Sequence, residues 1–159
     1  MPKELKTNAM RFLDKSKIAY TIQVYECSEF IDGIHVAEKL NQPLDETFKT
    51  LIAQGKSGTY YCFLLPVAME LDLKKAAKSV GEKSVELLHV KDITKVTGYV
   101  RGGCTPIGMK KQFMTVIHES AENLELFYIS GGRIGTQIRL SPKSLVKAIR
   151  GKFSDITAE

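Results

Sequence analysis

The chain has little cysteine, and what it has is scattered. Cys27, Cys62 and Cys104 are odd in number and form no CxxC pair. A disulfide scaffold is excluded, and free thiols point to a reducing compartment, the cytoplasm. No pair of histidines among His35, His89 and His118 has zinc-ligand spacing, so no metal is expected. No run of 18 apolar residues is present, which excludes a membrane-spanning helix. The opening Met-Pro-Lys-Glu-Leu-Lys lacks an apolar core and a cleavage pattern, so a secretory leader is not expected. Walker A, GxSxG and GxGxxG patterns are missing as well, which removes P-loop, nucleophile-elbow and dinucleotide-binding readings.

What is present is an ordinary globular composition. The 159 residues are 43% apolar and 26% charged, as in soluble domains. The length predicts a single domain over 1–159, burying roughly 68–70% of its unfolded surface. Lys and Arg number 23 against 18 acids, a net charge of +5. That bias serves solubility or favours a polyanionic partner.

Element signals alternate between helix and hairpin. Asn8–Lys15 has helical spacing, with Thr7 or Asn8 as cap. Ala19–Val24 reads as a strand, and Gly33–Asn41 as a short helix ended by Asn41 and Pro43. Asp45–Gln54 and Tyr60–Pro66 flank a Gly55–Gly58 turn and predict a hairpin. A helix over Leu71–Val80 stops at Gly81. Ser84–Val90 is strand-like and Asp92–Thr97 a helical turn. Strands are expected at Thr115–His118, Leu126–Ser130 and Gln137–Leu140, the last two joined by a Gly131–Gly135 turn. Ser141-Pro142 then caps a closing helix that ends at Gly151. The order is not a simple βαβα alternation. The expected fold is α/β, with one mixed, largely antiparallel, curved or barrel-like sheet and helices around it.

Four features carry possible chemistry. Lys49 interrupts the apolar strand Phe48–Ala53, sharing a face with Leu51 and Ala53. It either snorkels at an edge or points into a pocket as a cation for a phosphate or oxyanion. The segment Gly102–Gly108 (GGCTPIG) is a strand connection or an anion-holding nest of backbone N–H groups, stiffened by Pro106. Cys104 within it is a packing residue unless a positive environment lowers its pKa. Gly131-Gly132-Arg133-Ile134-Gly135 is a hairpin turn rather than a phosphate loop. Lys110-Lys111 are surface charge or phosphate contacts.

Four ordered motifs add a resemblance. FKTL (Phe48–Leu51), LKKAAKSVG (Leu73–Gly81), TGYVRGGCTPIGMKK (Thr97–Lys111) and ISGGRIG (Ile129–Gly135) are similar to the YbaK/EbsC family. These are aminoacyl-tRNA deacylases of the prolyl-tRNA synthetase editing-domain superfamily. The resemblance covers Asp45 to Asp155 and implies a barrel-like α/β fold without cofactor. It implies cleavage of the ester in Cys-tRNA(Pro), and of Cys-tRNA(Cys), by attack of the substrate's own thiol. Its essential lysine falls on Lys49 and its GxxxP loop on Gly102–Pro106. Tyr25, Phe30, Gly102, Gly103, Thr105, Pro106, Gly132 and Gln137 fall at substrate positions, with Gly102 and Gly103 as backbone donors. Arg101, Lys110, Lys111 and Arg133 fall beside the cleft and are expected to meet tRNA. The aminoacyl-tRNA acceptor end is the implied partner, with prolyl-tRNA synthetase as a second. The loop reads GGCTPIG where relatives commonly read GGISPLG, which leaves open an enzyme for alanine or serine, or a non-catalytic binding member.

Overall fold

The computed structural model describes residues 6–26, 32–100 and 103–158. Of the expected site residues, Phe30, Arg101 and Gly102 lie outside them. Helix α1 (Asn8–Lys15) begins where the Thr7 hydroxyl accepts from the Met10 N–H, and it buries Ala9, Met10 and Leu13. Strand β1 (Thr21–Val24) leads to helix α2 (Gly33–Lys39), whose cap is the carboxylate of Asp32. The chain turns out of α2 through Asn41, at φ 56°, a left-handed conformation that asparagine tolerates.

Strands β2 (Phe48–Gly55) and β3 (Tyr60–Pro66) form the expected hairpin. Residues 45–46 belong to its approach rather than to β2. They sit in a turn in which the Glu46 N–H donates to the Pro43 carbonyl. Helix α3 (Leu73–Ser79), strand β4 (Val85–Leu87) and helix α4 (Val90–Thr97) follow. Next come β5 (Met114–His118), β6 (Phe127–Ser130), β7 (Thr136–Leu140) and α5 (Pro142–Ile149). A 3-10 helix (Glu119–Asn123) and strand β8 (Lys152–Ser154) carried no sequence signal.

The strands form two sheets instead of one. One has the order β1-β7-β6, the other β4-β2-β3-β5-β8. Pairing is mixed and largely antiparallel, with β3–β5 and β5–β8 parallel. A parallel bridge between Thr47 and Tyr128 joins the sheets where β2 begins, and the Tyr128 N–H donates to the Glu46 carbonyl there at 2.9 Å.

The alternation of β2 separates two apolar clusters, because side chains two apart share a face. Phe48 and Ile52 enter the larger cluster with Phe127, Ile129 and Ile138. Ala53 enters the smaller one with Phe63, Ala76 and Val116. The Phe48 and Phe127 rings meet edge-on, 5.0 Å between centroids, so the sheets are joined by an aromatic pair as well as by backbone.

Candidate functional site

A cavity of about 420 Å³ opens at the junction of the sheets. Thr47 and the first half of β2, Phe48 to Ile52, form one wall, with Ser130, Thr136 and Gln137 contributed by β6 and β7. The start of α2 supplies Asp32, Gly33 and Val36, while Leu87, Leu88, Val90 and Ile93 close the side toward β4 and α4. Gly33 is needed where α2 meets the end of β3: a Cβ there would lie 2.5 Å from Cγ1 of Val67. The lining is mostly apolar with a few polar groups, the usual composition of a small-ligand site.

Three of the expected residues, Tyr25, Lys49 and Gln137, come together in this lining. They derive from β2, β7 and the end of β1, so only the tertiary fold makes them neighbours. Lys49 is half-buried. Burial lowers its pKa, and the carboxylate of Glu70 partly opposes that. No hydrogen-bond or ion-pair partner for its ammonium is found among the described residues. Lys49 is thus a half-buried member of the cavity wall. Asp32 brings a carboxylate to the lining, where it caps α2 and lies 2.7 Å from His35 Nδ1.

Gln137 is only 5% exposed and needs partners for its amide. It finds them in Gln42, a residue that the sequence did not single out. Gln42 Nε2 donates to Gln137 Oε1 at 2.6 Å, and Gln137 Nε2 returns a bond to Gln42 Oε1 at 3.2 Å.

The glycine loop meets the second glycine turn directly. A Cβ on Gly103 would lie 2.8 Å from the Cα of Arg133, so this contact requires glycine. One expectation fails here. Gly103 was expected to offer a backbone donor, but its N–H donates to the Val100 carbonyl at 2.9 Å. Gly131–Gly135 is the hairpin turn between β6 and β7, closed by the Gly131 N–H donating to the Thr136 carbonyl at 2.8 Å. Gly132, at φ 100°, packs against Thr7 and Tyr99.

Of the remaining loop residues, Cys104 lines the cavity, whereas Gly103, Thr105, Pro106 and Gly132 do not. Thr105 and Pro106 are buried. Burial pushes the Cys104 thiol up to about 11, so the thiolate, the nucleophilic form, is disfavoured at physiological pH. Arg133 is half-buried, its Nε donating to Thr136 Oγ1 at 3.1 Å. Lys110 lies along Gly98 and donates to the Lys95 carbonyl, and Lys111 is exposed. None of these three cations lines the cavity.

The arrangement, a mixed α/β fold with a mostly apolar cavity where two sheets meet, lined by a half-buried lysine and a buried amide, is that of a small-ligand site. The chain matches the aminoacyl-tRNA editing domain family over residues 34–148 and belongs to it. It is 42% identical over 155 residues to a candidate Cys-tRNA(Pro)/Cys-tRNA(Cys) deacylase, EbsC, of Enterococcus faecalis, a match covering 97% of this chain and 94% of that protein. Among solved structures, a candidate trans-editing enzyme for prolyl-tRNA synthetase superposes with a TM-score of 0.84 at 21% identity. That match covers 98% of this chain and 100% of the other. A second solved protein, described only as hypothetical, gives 0.87 at 20% identity, over 95% and 99% of the two chains. At those identities the structural likeness speaks to the fold.

Proposed function

We propose that the protein is a cytoplasmic deacylase that removes cysteine from Cys-tRNA(Pro) and Cys-tRNA(Cys), with residues 1–159 acting as one unit. The observation that carries the reading is Lys49 in the wall of an apolar cavity with no ion-pair partner among the described residues, in a chain 42% identical to a candidate enzyme of that kind.

An aminoacyl ester is already activated, so positioning and charge stabilisation are sufficient protein contributions. The substrate's cysteine sulfur attacks its own ester carbonyl. A carbon–sulfur bond forms, the carbonyl carbon's bond to the ribose oxygen breaks, and the thiol proton ends on that oxygen. The products are a cyclic thiolactone and free tRNA. Lys49 faces the phosphate or ribose of the terminal adenosine. Tyr25 packs on the aminoacyl end, and Gln137 hydrogen-bonds its polar atoms. The neutral thiol of Cys104 fits this scheme, because the sulfur that reacts belongs to the substrate. Arg101, Lys110, Lys111 and Arg133 are the proposed contacts to the acceptor stem. Prolyl-tRNA synthetase is the proposed source of tRNA selectivity, since a domain of this size has little surface for reading a whole tRNA.

The test is a panel of mischarged tRNAs. Cysteinyl esters should be cleaved and alanyl esters on the same tRNA spared. Equal cleavage of both would replace the substrate thiol with an activated water. Failure to cleave any ester in the panel would favour a non-catalytic binding role.

A further inference from the structure

The reciprocal amide pair at the cavity joins two parts of the fold that share no strand pairing. Gln137 belongs to β7, between Gln23 of β1 and Ser130 of β6. Gln42 follows α2, the helix whose first turn forms another side of the cavity. The place of Gln42 is fixed by its backbone: its N–H donates to the Ala37 carbonyl at 2.8 Å, just after the left-handed Asn41. Its side chain is held as well. The Thr47 hydroxyl, with one proton to give, is shared between the Pro43 carbonyl at 3.0 Å and Gln42 Oε1 at 3.2 Å.

A carboxamide offers two N–H donors and two acceptor lone pairs. The pairing with Gln42 uses one of each on Gln137. The second N–H and the second lone pair have no partner among the described residues, and Gln137 lines the cavity. A lone glutamine side chain has several rotamers and loses conformational entropy when fixed. The Gln42 amide fixes it before any ligand arrives, which is how preorganisation contributes to binding and rate.

We infer that Gln42 is a positioning residue that locks the Gln137 carboxamide, so that one donor and one acceptor face the carbonyl and amine of an aminoacyl ester. For its kinetic consequence the inference rests on the deacylase reading. For its geometry it stands alone.

The test has two arms. In the first, the side-chain amide signals of Gln137 are followed by NMR, assigned by their loss in Gln137→Met. In Gln42→Met they should move toward free-glutamine positions and exchange faster with solvent. Unchanged signals would overturn the inference. In the second, cleavage of Cys-tRNA is measured for Gln42→Met, Gln137→Met and the double variant. Each single change should lower kcat about tenfold with KM within twofold, and the double variant should be no slower than the slower single one. Losses that multiply would show that Gln42 acts independently of Gln137 and would overturn it. If Gln42→Met folds poorly, Gln42→Glu keeps the shape and the acceptor but lacks the donor to Gln137 Oε1. It should give an intermediate loss, and full activity would count against the pair. A wild-type protein inert on every aminoacyl-tRNA would defeat the deacylase reading, while the NMR arm would still decide the amide pair.

Discussion

Replacing Lys49 by methionine removes the charge and keeps most of the stem. The ammonium is half-buried, its pKa is lowered by that burial, and Glu70 compensates only in part. Its loss therefore removes a desolvation penalty along with a weak attraction. Stability should change by no more than about 1 kcal/mol, and a gain is as acceptable as a loss. The effect on catalysis should be large. One preorganised electrostatic contact to a charge developing in the transition state is worth about 2.7–4 kcal/mol, or roughly 10²–10³ in rate. The measurements are single-turnover deacylation of Cys-tRNA(Pro) and a urea melt on the same preparation. A rate within threefold of wild type would refute the role given to Lys49. A melt showing severe destabilisation would instead make it a structural residue. The pH dependence has a defined sign. Because the native pKa lies below that of a free lysine, activity should fall as pH rises through that lowered value. Between it and the unfolded value near 10.4 the unfolded chain binds more protons, so this residue makes stability rise with pH there. Lys49→Met should lose both trends.

Other expected outcomes follow from single contacts. Gly103→Ala places a methyl group 2.8 Å from the Arg133 Cα. Backbone must move, so thermal melting should report a loss of about 1–3 kcal/mol, together with reduced deacylation as the two loops separate. Cys104→Ala should keep deacylation within about threefold, because a thiol pushed up to about 11 is no nucleophile. A hundredfold loss would contradict that. His118 is buried, with Nδ1 2.8 Å from Ser120 Oγ, Nε2 3.1 Å from Thr157 Oγ1, and a pKa lowered by burial. The unfolded chain protonates this group first, near its ordinary value of 6.5. Stability should therefore fall as pH drops below that value. Urea midpoints at pH 7.5 and 5.5 should differ more in wild type than in His118→Gln.

Local signals set the elements where they were strong. Thr7 caps α1 at the expected residue, and the Asn8–Lys15 and Tyr60–Pro66 ranges agree because capping and apolar runs are short-range properties. Strand β8 was illegible because three residues, Lys152–Ser154, become a strand only by pairing in parallel with Val116–His118 of β5. Gln42 was overlooked for the same kind of reason. Its partner is 95 residues away, and no local pattern singles it out. The four ordered motifs did carry the family, since they quote the residues themselves rather than their contacts.

By itself the sequence determined the helices and hairpins, the lysine inside an apolar strand and the membership of an editing family. The tertiary structure decided which of these residues meet. It divided the strands into two sheets joined at Thr47 and Tyr128 and set Tyr25, Lys49 and Gln137 around one cavity. It also gave the Gly103 N–H to the Val100 carbonyl and raised the pKa of the Cys104 thiol by burying it. Burial and pairing depend on contacts distant in the chain, and a local pattern of residue types does not encode them.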